Sequence, residues 1–250
     1  MAEPTSSADR VTRVLADAAD DARARERDDR DDPGVPVAAT VVLVRDAPDG
    51  PRVLMIERPD RGSFAGAWVF PGGKLEDADR CSPDEPEQDA ARRAAVRETQ
   101  EETGLRVTPE SLVGVSRWDP PPGIALRIRT WFFAARAEED ALVLAEDEAV
   151  SAEWADPSDM LERHARGEVT LYPPTWVTLH GLRGHRDADA MLAALEASGL
   201  ERFDTVARRA RRGPVLLWQG DAEYDDAGRE GASRHRLEIG DLSWRYTRTE

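Results

Sequence analysis

Eight residues, Arg97-Glu98-Thr99-Gln100-Glu101-Glu102-Thr103-Gly104, constrain this 250-residue chain more than any other segment. Glu98, Glu101 and Glu102 are related as i, i+3 and i+4, so a helix places them on one face. Three neighbouring carboxylates repel one another unless a cation sits among them, and clustered oxygen donors suit Mg2+ or Mn2+. Arg97, one helical turn before Glu101, is placed to clamp that carboxylate and fix its aim. Gly104 suits the left-handed residue that ends many helices.

A solvated acidic face would account for these carboxylates by themselves. The segment upstream argues for more. Trp68-Val69-Phe70-Pro71-Gly72-Gly73-Lys74-Leu75-Glu76 reads as an apolar strand end running into a double glycine. Together the two segments resemble the Nudix box, Gly-x5-Glu-x7-Arg-Glu-U-x-Glu-Glu-x-Gly-U, in which U is a bulky aliphatic residue. Arg97, Glu98, Glu101, Glu102, Gly104 and Leu105 match its second half, and Thr99 replaces the first U. The resemblance implies an α/β fold, an α/β/α sandwich with a mixed sheet. It implies a Mg2+ or Mn2+ cofactor held by Glu98, Glu101, Glu102 and the Gly73 carbonyl. It also implies a catalytic group that includes Arg97, Glu98 and Glu101.

The first half of the box departs from the pattern. Gly73 lies 24 residues before Arg97, a longer spacing than the pattern has, so residues 79–88 read as an inserted loop. The middle carboxylate stays open between two residues. Asp79 keeps its distance from Gly73, and Asp89 keeps its distance from Arg97. Pro86 is expected near the first helical turn, with Asp84 or Glu85 as its cap.

Composition narrows the class. No apolar run approaches the roughly 18 residues of a membrane span, and there is no signal-peptide pattern. A single cysteine, Cys81, excludes an internal disulfide, and the expectation is a cytoplasmic protein. The net charge of −16 argues against non-specific nucleic-acid binding, which needs a basic footprint. The expected partner is a small nucleotide-type molecule.

Three regions follow from the pattern. Residues 1–34, dense in Asp, Arg and Ala, read as a charged leader that is mobile or loosely docked. Residues 35–185 read as the main domain. Its strands are expected at 38–45, 52–58, 68–70, 112–117 and 126–135, with another starting at 148–154, and its helices at 87–103 and 157–166. Residues 186–250 read as an extension that packs on the body or on a second copy of the chain. It has a helix over 187–212, a strand at 213–218 and a closing β segment at 235–246. The four histidines, His164, His180, His185 and His235, lack metal-ligand spacing and read as surface or local hydrogen-bonding groups.

Downstream residues extend the resemblance. In the Nudix family a distal Glu often completes the metal site or acts as base. Glu148 is the candidate here, with Glu146, Asp147 and Glu153 as alternatives. Ser116-Arg117-Trp118-Asp119-Pro120-Pro121, the strand around Arg127, Arg129 and Thr130, and Tyr172-Pro173-Pro174-Thr175-Trp176 look like the branch related to peroxisomal coenzyme A diphosphatases. Leu54-Met55-Ile56-Glu57-Arg58 meets that branch's coenzyme A motif in part. Arg58, Arg61, Trp118, Arg127 and Arg129 are therefore candidate substrate contacts. Trp118, Trp131, Phe133 and Trp176 read first as core, with one or two of them open to stacking on a nucleobase. The activity implied is metal-dependent hydrolysis of a diphosphate linked to a second group, such as coenzyme A or ADP-ribose. The alternatives are nucleoside triphosphate pyrophosphohydrolysis or a non-catalytic ligand-sensing domain.

Overall fold

The sheet is organised around β1, Val37–Arg45, whose apolar, β-branched residues suit a strand covered on both faces. It runs parallel to β6, Arg129–Arg136, and antiparallel to β2, Arg52–Glu57, and β4, Gly72–Lys74. β3, Trp68–Val69, and β7, Ser151–Ala155, pair with β2. β5, Val113–Asp119, lies antiparallel beside β6. The computed structural model describes residues 14–17, 34–61, 64–122, 124, 127–138, 141–145 and 149–249.

Alternation along the strands separates two cores. Ala39, Val41, Leu43, Leu54, Trp131 and Phe133 face helix α1, Glu87–Thr103. Ala91, Ala94 and Ala95 give that helix a flat face and let it lie close to the sheet. It ends at Gly104 with φ +74°, as the sequence predicts. Thr99, in the place of an aliphatic residue, is fully buried, and its hydroxyl donates to the Ala95 carbonyl at 2.7 Å.

The opposite face carries Val42, Val44, Val53, Met55, Phe70 and Phe132. Helices α2, Pro157–Ala165, and α3, Pro173–Gly181, cover it. The result is the expected α/β/α sandwich with a mixed sheet. Of the charged leader, residues 14–17 and 34 lie within the described residues. Residues 14–17 form a helical turn, and Leu15 is buried in this second core.

The C-terminal region differs from the sequence expectation. The helix predicted over 187–212 stops at Ser198, as α4, Ala188–Ser198, and Gly199 follows with φ +68°. Beyond it, Phe203 and Ala207 are buried while Arg202 and Arg209 are exposed, an alternation that suits strands. β8, Glu201–Asp204, joins the main sheet parallel to β5, from Ser116 opposite Glu201 to Asp119 opposite Asp204. The extension therefore completes the sheet and crosses the boundary drawn at residue 185. β9, Val206–Ala210, β10, Gly213–Leu217, β11, His235–Glu238, and β12, Arg245–Arg248, form a second, antiparallel sheet. Trp218, Leu237 and Trp244 tie that sheet into the second core.

Of the histidines read as surface or local hydrogen-bonding groups, His164 and His235 are buried and make local hydrogen bonds. His164 donates from Nδ1 to the Val169 carbonyl at 3.3 Å, and its ring meets Trp244 edge-on at 4.6 Å. Burial lowers its pKa to about 4. His235 donates from Nδ1 to the Gln219 carbonyl at 2.9 Å and accepts from the Tyr246 hydroxyl at 3.0 Å. The native state keeps the His164 ring neutral where an unfolded chain would bind a proton, so stability rises with pH between these two values. It is fully present above about pH 6.5 and is lost as pH falls toward 4. The contribution is on the order of 3 kcal/mol. The Tm difference between pH 7.5 and pH 4.5 is expected to shrink in His164→Gln, as measured by calorimetry; an unchanged difference would remove His164 from the acid response.

Candidate metal and catalytic site

The candidate site forms where the glycine turn after β3 meets the C-terminal half of α1. Two glycines make the approach possible. A side chain at Gly72 (φ +153°) would lie 2.2 Å from the Ala39 carbonyl oxygen, and one at Gly73 would lie 2.3 Å from the Glu98 carboxyl carbon. The Glu98 carboxylate thus rests directly against the backbone of the turn. In the β1–β4 ladder, Val41 N–H donates to Pro71 and Leu75 N–H to Val37, both at 2.9 Å. That alternation makes Ala39–Gly73 a hydrogen-bonded pair and turns the Gly72 carbonyl out of the ladder. The carbonyl offered at the site is Gly72's, in place of the expected Gly73.

Arg97 uses all of its N–H donors. Nε and Nη2 grip the Asp79 carboxylate at 3.1 and 2.9 Å, and Nη2 also donates to the Lys74 carbonyl at 3.0 Å. Nη1 donates to Glu98 Oε1 and Glu101 Oε2, both at 2.9 Å. The hydrogen bond it donates to Asp79 is the main cause holding the guanidinium protonated well beyond its ordinary range. Burial pushes the Asp79 carboxyl up, but Arg97 and the Glu76 N–H outweigh it and leave its pKa below the usual value.

Asp79 is therefore the middle carboxylate left open by the sequence. Asp89 is exposed on α1. The insertion begins after Asp79, and its loop does not cap the helix as expected. Pro86 holds the N-cap position, and the Glu85 carboxylate turns to Cys81 N–H at 2.8 Å and to Arg93.

Glu102 is fully buried. Its carboxylate accepts from Gly72 N–H at 2.8 Å and pairs with Arg58 Nη1 at 2.7 Å, while Arg58 Nη2 donates to the Gly72 carbonyl at 2.6 Å. The charge of the carboxylate triplet is thus met by two guanidiniums, Arg97 and Arg58. Among the described residues no three carboxylate, His or Cys side chains converge into a ready metal cage. The donors nevertheless fit a hard divalent cation. Glu98 and Glu101 already converge on one cationic nitrogen, Arg97 Nη1, and the Gly72 carbonyl accepts from the guanidinium that pairs with Glu102.

Beside this turn opens a cavity of about 260 Å3. Its lining combines Arg58, Gly72, Gly73 and Lys74 with the aromatic side chains of Phe64, Phe70, Phe132 and Tyr172. Phe64 adopts φ +61° and meets Tyr172 edge-on at 4.7 Å. A non-glycine residue in that conformation is costly and is often found where a ligand is clamped.

Of the five candidate substrate contacts, Arg58 alone lines this cavity. Trp118 is buried, stacked on Phe203 at 3.8 Å, with its indole N–H donated to Ser116 Oγ. Arg129 is buried and paired with Asp119 at 2.7 Å and Glu87 at 2.9 Å. Arg127 donates to the Pro120 carbonyl at 3.2 Å, and Arg61 is exposed beyond the cavity lining. Glu148, Glu146 and Asp147 lie outside the described residues. Glu153 is engaged with Arg163. Lining residues missed by sequence reasoning include Phe64, Thr130, Phe132 and Tyr172. The signal for Thr130 and Phe132 was the strand alternation that sends Arg129 and Trp131 to the other face.

Residues 35–173 match the family model described as NUDIX domain. A 69-residue stretch is 41% identical to an 8-oxo-dGTP diphosphatase of Proteus vulgaris, covering 28% of this chain and 53% of that one. The chain thus spans about half the length of this curated relative. The fold is similar to a NUDIX hydrolase from Alicyclobacillus acidocaldarius, at TM-score 0.57 and 23% identity, over 64% of this chain and 96% of that chain. A MutT NUDIX hydrolase from Burkholderia pseudomallei aligns at TM-score 0.44 and 24% identity, over 58% of this chain and 95% of that one.

Glu101 and Glu102 are expected to differ in what they do for the fold. Glu101→Gln removes a half-exposed ion pair and should change stability by under about 0.5 kcal/mol. Glu102→Gln leaves Arg58 short of its buried partner and should cost roughly 2 to 3 kcal/mol, since Arg58 keeps some contact with water. Urea unfolding of the two variants checks this ordering; equal costs would mean that Glu102 carries no structural charge.

Proposed function

The chain belongs to the NUDIX family, and on that premise we propose that it is a hydrolase of the diphosphate linkage in a nucleotide-type small molecule, dependent on a divalent metal ion. The observation that carries this reading is the contact of Glu98 with the Gly72–Gly73 turn that lines the 260 Å3 cavity. Members of the family generally use divalent metal ions. Glu98, Glu101 and Glu102 with the Gly72 carbonyl are the residues that would hold Mg2+ or Mn2+. A bound ion of this kind neutralises phosphate charge and acidifies a coordinated water.

The chain's own groups supply the rest. Arg97 keeps Glu98 and Glu101 aimed at the same spot. Arg58 and Lys74, in the cavity lining, neutralise phosphate oxygens. A carboxylate takes the proton of the attacking water. Glu101 is the solvent-accessible member of the triplet, and Glu148 remains the distal candidate for that role.

The cavity supports a compact substrate. Its volume is below that of sites for drug-sized ligands. Its aromatic lining of Phe64, Phe132 and Tyr172 accepts one planar base. The resemblance to an 8-oxo-dGTP diphosphatase favours a nucleoside triphosphate in the same way. The branch reading, coenzyme A or ADP-ribose, drew on Trp118, Trp131 and Trp176, and all three side chains are core. Pairing of two copies through the extension likewise has less to draw on, since Trp218 and Trp244 are buried within the chain. No described helix is long and apolar enough to cross a membrane.

Turnover of dGTP, 8-oxo-dGTP, coenzyme A and ADP-ribose under one Mn2+ concentration tests the reading. The triphosphates are expected to give the higher kcat/KM, and Glu98→Gln is expected to lower kcat by about a hundredfold or more. A clear preference for coenzyme A would restore the branch reading. Full activity of Glu98→Gln would remove the metal assignment.

A further inference from the structure

A second cavity, of about 210 Å3, lies outside the site just described. It opens between β5, α3, α4, β8 and β12, and much of its wall comes from the extension beyond the residues matched by the family model. Trp118, Val177, Leu195 and Phe203 form its apolar walls. Ser116, Thr178, His180, Glu201, Tyr246 and Arg248 supply its polar groups.

Those polar groups are close to neutral as a set. Arg248 Nη1 pairs with Glu201 at 2.6 Å, so that charge is cancelled locally. Arg183 donates to His180 Nε2 at 2.7 Å, and since a guanidinium can only donate, the His180 proton sits on Nδ1. Burial, with Arg183 adding to it, holds His180 below its ordinary pKa, and burial holds Tyr246 above its own, so both are uncharged at neutral pH.

One group points to a ligand independently. The Ser116 side chain is buried, with 2% of the residue exposed, and its oxygen accepts from Trp118 Nε1 at 2.9 Å. Among the described residues its hydroxyl proton has no acceptor. A buried hydroxyl with an unspent donor facing a cavity calls for an acceptor inside that cavity.

We propose that this cavity is a binding site for a small, neutral, planar heteroaromatic ligand of nucleobase size, separate from the substrate cleft. A ring nitrogen or carbonyl oxygen would accept from Ser116, and a ring N–H or amino group would donate to Glu201. The apolar walls would cover the ring. The volume admits a fragment-sized ligand and excludes a phosphorylated nucleotide with its sugar. The two cavities share a structural wall. Pro174 and Thr175 of α3 line the first, Val177 and Thr178 line the second, and Phe132 in the first lies 6.4 Å from Trp118 in the second.

The test uses the full chain and adenine as the probe, followed by calorimetric titration and by protein chemical shifts. Saturable binding is expected in the wild type. Leu195→Trp, which fills the second cavity from a half-buried helix position, should weaken it by about tenfold or more. Ser116→Ala, which removes the hydroxyl that would donate to the ligand, should weaken it by about threefold. Thr130→Trp, which fills the first cavity, should remove any adenine held there and leave unchanged the shift changes at residues lining the second cavity. Thermal midpoints near wild type confirm that the variants fold. Absence of saturable binding to the wild type, or binding lost in Thr130→Trp and kept in Leu195→Trp, overturns the proposal.

Discussion

The guanidinium of Arg97 is the interaction on which the rest of the site depends. It satisfies every donor at once, on Asp79, Glu98, Glu101 and the Lys74 carbonyl. The four acceptors belong to three elements: a 3-10 turn before the insertion, one face of α1, and β4, the strand that holds the double glycine. A planar fork with fixed geometry locks these elements together more tightly than a flexible ammonium would. It also makes a cluster of negative charge tolerable in the folded chain. Arg58 repeats this at the buried end, where it closes a ring with Glu102 and both polar groups of the Gly72 peptide units.

That arrangement needs the backbone to come close. Gly72 and Gly73 remove the two Cβ atoms that would strike β1 and Glu98, so the turn can touch the helix. The alanines of α1 do the same on the helix side, letting it approach the sheet. Electrostatics at the site therefore rests on a packing choice made by small residues. The cavity beside the turn follows from the same geometry, because β1 and β6 present one face to α1 and the other to the opening. A single strand, β6, thus supplies Trp131 to the core and Thr130 and Phe132 to the cavity.

The carboxylate face, the helix that carries it, its glycine end and the clamp from Arg97 to Glu101 were legible in the chain, because each depends on spacing along one helix. The strands of the main sheet were legible for the same local reason. The lining of the cavity was not. Trp118 and Arg129 carry the residue types of a binding surface, yet both are buried, and an indole or a guanidinium has the same formula in a core as in a cleft. The helix expected to run to Arg212 stops at Ser198, since β8 finds a partner in β5 and pairing outweighs the local helical pattern.

What the sequence by itself determined is the set of local relations: the i, i+3, i+4 carboxylates, the glycine pair, the alternation of β1 and the family they point to. Tertiary structure alone decided which carboxylate Arg97 grips across the insertion. It also decided which glycine carbonyl faces the site, which aromatics line a cavity, and that the C-terminal segment finishes the main sheet. The reason is physical. Spacing along one element is set by backbone geometry, which any reader of the chain can count. Contacts between distant elements depend on which surfaces bury each other, and that is settled only when the whole chain competes for the same core.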